Sequence, residues 1–372
     1  MTKILVATPL FPPEIGGPAT YAHMLESELP KYGFEVEIVP FAAARRWPKI
    51  IRHFVYYRTL VKKSRSADVV YALDAVSVGW PAMWAAKRTK KTFLLRVPGD
   101  YAWEQGQIRF GVKDTLDVFS ENRNQYSIFV RVLARLQSKV ASEAELVVVP
   151  SEYMKSIVTT WGVHPANIVP IYSALFPLPV EQGRVEIRKS LGYKGTVIVS
   201  AGRLVPWKGF MTLIEILPEL RKQVEEANLV IIGEGPDGAR LRARAEELGV
   251  AEHVRFVPRS AKHALGAAIV GSDVFVLNTS YEGLSHQLLE VMALGVPIVT
   301  TNVGGNPELI KDTVTGILVP YDDKEELKSA IERAATHESF RDSLVRNARL
   351  RVKDFEKEKV IKELVNLLEK LS

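Results

Sequence analysis

The sequence predicts an α/β protein built from two doubly wound domains, each with a parallel sheet. Three observations lead there. At 372 residues the chain exceeds one ordinary core and suits two domains of about 150–190 residues. Short apolar runs that read as buried strands alternate with amphipathic helical stretches, in two successive series. Between the series, residues 174–183 carry Pro177, Pro179 and Gly183, the composition of a crossing between domains.

In chain order, residues 3–8 form the first strand, followed by a Pro- and Gly-rich loop over 9–18 and a helix over 19–29. Residues 33–39 alternate as a second strand, and 68–71 and 92–95 are short buried ones. A helix over 129–140 precedes a strand over 145–150, which leads to Ser151 as a helix cap. The second series has strands at 196–200, 228–233, 254–257, 274–277, 297–300 and 316–319. Its helices include 211–217 and 288–294, and charged amphipathic helices start at Lys324 and cover 355–371. The expected domains are residues 1–175 and 176–351.

Composition excludes several functions. Without cysteine there is no disulfide, no thiolate zinc site and no cysteine nucleophile, which fits a reducing cytoplasm. Pro12, Pro13 and Glu14 end the N-terminal apolar run too early for a secretory leader, and no stretch reaches the about 18 apolar residues of a membrane span. The net charge of +6 is unevenly placed: residues 38–67 hold no acid but include Arg45, Arg46, Lys49, Arg52, Arg58, Lys62, Lys63 and Arg65. Trp47, Ile50, Ile51, Phe54, Tyr57 and Val61 fall at helical spacing among them. The stripe serves either an anionic membrane surface or a core-packed helix with a solvated basic face. Nucleic acid is the weaker reading of this charge, because no recognition signature accompanies it.

The most informative stretch runs from Glu282 to Glu290, two carboxylates bracketing Gly283, Leu284, Ser285 and His286. Glu282 falls on the loop after a buried strand, and Glu290 about a turn inside a helix. Backbone N–H groups at a helix start suit a phosphate, whereas carboxylates repel it and suit hydroxyls. A ligand with both features is a sugar nucleotide; a solvated first helical turn is the plain alternative. Gly202, Arg203 and Lys208 lie on a second strand-to-helix loop, where open α/β sheets bind ligands. There the guanidinium can fork onto phosphate oxygens and the ammonium can act as a point charge.

Residues 233–238 match Gly-x-Gly-x-x-Gly after a strand. Glu234 and Asp237 place negative charge where pyrophosphate should lie, and about 20 residues on, where a ribose-binding acid belongs, the chain reads Phe256-Val257-Pro258-Arg259. A dinucleotide cofactor is therefore not expected. Asp322 and Asp323 resemble half a metal site, but they immediately precede a helix and suit its N-terminus. No metal requirement is expected.

The Gly-Arg-x4-Lys-Gly element at residues 202–209, the Glu-x7-Glu element at 282–290 and the Gly16-Gly17 turn together resemble the retaining glycosyltransferases of family 4. The resemblance extends over the whole chain. It implies a GT-B fold, two Rossmann-like domains facing across a cleft, with the last helix (352–372) packing back on the N-terminal acceptor domain. It also implies that the C-terminal domain holds a UDP-, GDP- or ADP-sugar, with Arg203 and Lys208 on the diphosphate, Glu282 on the sugar and Glu290 on the ribose. Leu284, Ser285 and His286 would approach the sugar and phosphate through their backbone, Gly233 would be a donor-side turn, and Val257 and Arg259 would lie near the base. Gly16 and Gly17 would face donor and acceptor, although two glycines also suit a plain tight loop.

Many members of that family carry a histidine near residues 95–104, and this chain has none there. Asp100, then Arg96, then Glu104 are the candidates for its contact with substrate hydroxyls. His286 is either a partial substitute or a solvated residue at a helix start. The expected reaction moves a sugar to a hydroxyl of a glycan, glycolipid or lipid-linked saccharide, at the inner face of the plasma membrane. A sugar-nucleotide epimerase or hydrolase and a non-catalytic sugar-nucleotide binding protein are the alternatives.

Overall fold

The computed structural model describes residues 1–14, 16–258 and 262–371, with the side chains of Lys49, Ile50 and Lys262 also outside the description. Arg259, expected near the donor base, lies outside the described residues. The chain divides into two compact units, Met1–Ser173 with Glu358–Ser372, and Ala174–Lys357.

The first unit opens with β1 (Thr2–Thr8), α1 (Gly17–Glu28), β2 (Phe34–Pro40), α2 (Lys49–Ser64), β3 (Val69–Ala72), α3 (Gly79–Thr89) and β4 (Thr92–Arg96). It continues through α4 (Tyr101–Arg109), α5 (Leu116–Glu121), α6 (Ile128–Ser142), β5 (Leu146–Val149), α7 (Glu152–Thr160) and β6 (Ile168–Pro170). All six strands pair in parallel, in the order β2-β1-β3-β4-β5-β6. Ile4, Leu5 and Val6 of β1 are fully buried, as a strand covered on both faces demands. Ser151 caps α7, its hydroxyl accepting from Met154 N at 3.1 Å.

The second unit runs α8 (Arg184–Leu191), β7 (Val197–Ala201), α9 (Phe210–Gln223), β8 (Asn228–Ile232), α10 (Gly238–Glu247), β9 (Val254–Val257), α11 (Lys262–Gly271) and β10 (Val274–Leu277). Then come α12 (His286–Leu294), β11 (Ile298–Thr301), α13 (Asn306–Leu309), β12 (Ile317–Val319), α14 (Lys324–Thr336) and α15 (Glu338–Arg351). Its parallel sheet has the order β12-β11-β10-β7-β8-β9. The last helix, α16 (Lys357–Glu369), belongs almost wholly to the first unit. Asp323 caps α14, accepting from Glu326 N at 3.0 Å, whereas Asp322 accepts from Thr212 Oγ1 on α9.

Two elements depart from expectation for identifiable reasons. β6 was not anticipated: it has three residues, begins just after Pro165 and ends on Pro170, and proline is tolerated there because β6 is the sheet edge. α9 runs six residues past Leu217, through Pro218, a residue that normally stops a helix. Ile214, Leu217 and Leu220, buried on both sides of the proline, hold the helix on the sheet. On α2 the core side is Tyr56, Leu60 and Ser64, while Ile51 and Phe54 are exposed and Tyr57 and Val61 half-buried.

Candidate active site

In the second unit the chain steps from β7 outward to β8 and β9, then returns to start β10 on the other side of β7. The loops after β7 and β10 therefore leave neighbouring strands in opposite directions. Such a switch point opens a crevice at the strands' C-terminal ends, where doubly wound sheets bind ligands. The first of these loops carries Gly202, Arg203 and Lys208; the second carries Glu282 and leads into α12. Residues 74 positions apart in sequence meet here.

Lys208 Nζ donates to Glu282 Oε1, and both side chains are largely shielded from solvent. Three hydrogen bonds fasten the two loops together. Thr279 Oγ1 donates to Trp207 O at 3.0 Å, Ser280 N to the same carbonyl at 2.8 Å, and Asn278 Nδ2 to Gly209 O at 3.1 Å. Lys208 thus stands on a rigid turn, its stem alongside Gly202. Arg203 is exposed and has no ion-pair partner among the described residues. Ser285 caps α12, its hydroxyl accepting from Leu288 N at 3.4 Å, which sets Gly283 and Leu284 just ahead of the helix start. His286 is the first residue of α12 and Glu290 the fifth, both half-buried.

The Gly-x-Gly motif has a packing explanation. A Cβ on Gly233 would stand 1.8 Å from Gly202 O, and one on Gly235 would stand 2.2 Å from Leu204 O. Gly202 N donates to Ile232 O, and Leu204 N to Glu234 O, so the loops after β7 and β8 lie backbone to backbone. The glycines let the Arg203 loop be supported from below. Gly233→Ala is therefore expected to cost about 2 kcal/mol through forced backbone displacement, read as a lowered thermal midpoint. Val257 ends β9 half-buried beside these loops.

The sequence reading passed over the loop after β11. Gly305 N donates to Glu282 O at 2.9 Å, and Gly304 has a left-handed φ of 57° with no room for a Cβ, which would lie 2.2 Å from that same carbonyl. This loop cradles the backbone that presents Glu282. Its signal, Gly-Gly between a buried strand and a helix-starting Asn306-Pro307, was legible in the sequence.

In the first unit Asp100 and Arg96 are placed differently from expectation. Asp100 is fully buried and presents no surface to a ligand in this structure. It caps α4, Oδ1 accepting from Trp103 N at 2.9 Å, and its other oxygen lies 3.7 Å from Arg123 Nη2. Burial pushes the Asp100 carboxyl up and the Arg123 guanidinium down, each against the pull of the other. Arg96, at the end of β4, is only 4% exposed; it lies over the Tyr21 ring at 3.8 Å and donates to Ser173 Oγ at 3.4 Å. Glu104 remains on half-buried α4 surface. Gly16 and Gly17 are the cap and first residue of α1, neither in the left-handed region, so positive φ does not explain them. Among the described residues no three His, Asp or Glu side chains cluster as metal ligands would.

Comparison with known proteins gives two family matches: the description "Glycosyl transferases group 1" over residues 184–351 and "Glycosyl transferase 4-like domain" over residues 33–174. Among curated relatives, the GDP-mannose-dependent alpha-(1-6)-phosphatidylinositol monomannoside mannosyltransferase of Mycobacterium tuberculosis is 41% identical over 150 residues, 38% of this chain and 39% of that one. The D-inositol 3-phosphate glycosyltransferase of Jonesia denitrificans is 32% identical over 193 residues, 49% of this chain and 45% of the relative. The chain thus matches less than half the length of these relatives. Among solved structures, Anabaena HepE in complex with UDP and glucose aligns over 100% of both chains with a TM-score of 0.77 at 18% identity, a likeness of fold.

Proposed function

Because this chain belongs to the group 1 glycosyl transferases, we propose that it moves a sugar from a nucleoside diphosphate to a hydroxyl acceptor with retention of anomeric configuration. The observation that carries the proposal is the Lys208–Glu282 pair, brought together at the switch point of the second sheet. The donor diphosphate competes with Glu282 for the Lys208 ammonium, and Arg203 adds its fork from the same loop. That exchange frees a Glu282 oxygen for a sugar hydroxyl, while Glu290 faces the ribose and the start of α12 faces the phosphates.

In the reaction the bond from the anomeric carbon to the β-phosphate oxygen breaks and its electron pair leaves with the diphosphate. Arg203 and Lys208 stabilise the charge that develops there. The acceptor oxygen bonds to the anomeric carbon from the same face, and its proton passes to the departing phosphate. We assign charge neutralisation to these cations and to helix N–H groups, without a metal, so excess EDTA is expected to leave the transfer rate unchanged. The acceptor is a glycan, glycolipid or lipid-linked saccharide, reached by peripheral contact with anionic membrane through residues 45–65 on the cytoplasmic side.

A screen of UDP-, GDP- and ADP-sugars by thermal unfolding tests the donor, with GDP-mannose first because one relative is named for it. A donor at about 100 times its Kd stabilises the native state by about 2.7 kcal/mol. Stabilisation by none of them would overturn the proposal. Release of free sugar or an epimer without acceptor would identify the hydrolase or epimerase alternative. Binding without turnover on any acceptor would identify a sensor.

A further inference from the structure

Lys208 meets Glu282 from a loop 74 positions away, so the spacing of the two charges is set by whatever joins their backbones. The residues that follow β10, Asn278, Thr279 and Ser280, make that junction. Thr279 is fully buried, and its Oγ1 lies 3.0 Å from Trp207 O and 2.9 Å from Tyr281 O. Those carbonyls belong to the residues immediately before Lys208 and immediately before Glu282. One hydroxyl thus stands between the two main-chain stretches that present the charges, and its single proton serves both. Trp207 O also accepts from Ser280 N at 2.8 Å.

The residue after Lys208 is held as well. Asn278 Nδ2 donates to Gly209 O at 3.1 Å, while its buried Oδ1 has no hydrogen-bond partner among the described residues. The amide is therefore spent on Gly209. That glycine has a left-handed φ of 59°, and a Cβ on it would stand 2.1 Å from Asn278 O, so the turn closes directly onto the end of β10. Thr279 is in turn tied to the neighbouring strand, where Thr301 Oγ1 at the end of β11 donates to Thr279 O at 2.6 Å. Both charges are thus referenced to the paired strands β10 and β11 rather than to either loop.

We propose that Thr279 is a positioning residue for the transfer reaction, with Asn278 as its second point, and that together they fix the Lys208 ammonium where it meets the β-phosphate of the donor. The assignment rests on the reading of Lys208 as a cation for the donor diphosphate. Preorganised charge acts only where it is held, and a displacement of about 1 Å can cost about 100-fold in rate. A lysine ammonium is a compact charge on a long flexible stem, so the backbone must supply the precision that the side chain lacks. Valine at position 279 would have nearly the shape of threonine and lack only the hydroxyl.

The test is the preference of the full chain for a nucleoside diphosphate over the matching monophosphate, measured by titration calorimetry with GDP and GMP, UDP and UMP, and ADP and AMP. The ratio of the two dissociation constants isolates the second phosphate, the one Lys208 meets, and a general loosening of the fold cancels from it. Lys208→Ala is expected to lower the preference about tenfold or more, the weight of a hydrogen bond between charged groups. Thr279→Val should lower it about three- to tenfold, as a partial loss of the same contact, and Thr279→Ser should keep it within about twofold of native. Asn278→Ala, which frees Gly209 O, should act in the same direction and carries the test if Thr279→Val does not fold. Added to Lys208→Ala, Thr279→Val should lower the preference no further, because it acts through that side chain. A folded Thr279→Val protein with the native preference, or one whose loss persists in full beside Lys208→Ala, would overturn the inference and leave the donor reading standing. Binding of none of the nucleotides, or a native preference in Lys208→Ala, would overturn the donor reading and the inference with it.

Discussion

Replacing Lys208 by alanine is expected to lower kcat by about two to three orders of magnitude, the usual cost of deleting a preorganised group aimed at developing negative charge. Lys208→Arg should restore little of this. The site is a half-buried slot set for a point charge, with the Lys208 stem along Gly202 and its tip on Glu282, and a planar guanidinium does not reproduce that geometry. Glu282→Ala should act differently, mainly raising KM with a smaller effect on kcat, because a sugar hydroxyl loses its acceptor in ground and transition states alike. The double variant should lose less than the product of the single losses, since the two residues contact each other and couple. Initial rates under saturating and limiting donor separate these outcomes. A Lys208→Ala protein within tenfold of the native rate would sink the assignment.

Replacing Asp100 by alanine is expected to destabilise the first unit by about 3–5 kcal/mol. It removes the cap of α4 and strands Arg123, whose side chain is 12% exposed, beside a vacated carboxylate site. Asp100→Asn keeps a cap acceptor and loses only the charge, so it should cost less. Urea unfolding measures both, analysed as two transitions because the chain has two compact units. At temperatures where it remains folded, the Asp100→Asn protein should retain native donor stabilisation and turnover. A selective loss of turnover without loss of stability would return Asp100 to the substrate.

These two residues show what was legible. Lys208 and Glu282 could be singled out in the sequence because each follows a buried strand and precedes a helix, a position that periodicity reveals. Their contact was not legible, because it depends on the order in which strands assemble, and β7 and β10 are neighbours only through the reversal of winding. Asp100 looked equally well placed after its strand. Its carboxylate instead turns inward, since helix α4 starts at once and its free N–H groups take the nearest acceptor. The basic stripe of α2 was read correctly as amphipathic, yet which side meets the core was decided by Tyr56, whose hydroxyl donates to Val39 O at 2.6 Å inside the unit. β6 and the continuation of α9 escaped because local proline rules gave way to edge position and to burial.

By itself the sequence determined the class of fold and the chemical character of the loops that carry Arg203, Lys208 and Glu282. Hydrophobic periodicity and strand-to-helix punctuation are local properties, and they are written residue by residue. Only the tertiary structure decided which charges pair, which are sealed away and which remain facing solvent. Pairing Lys208 with Glu282, burying Asp100 against Arg123 and leaving Arg58, Lys62, Arg65 and Arg88 without an ion pair among the described residues all depend on strand order and helix packing. Those are long-range choices, made by burial and desolvation of whole surfaces, and no window of neighbouring residues contains them.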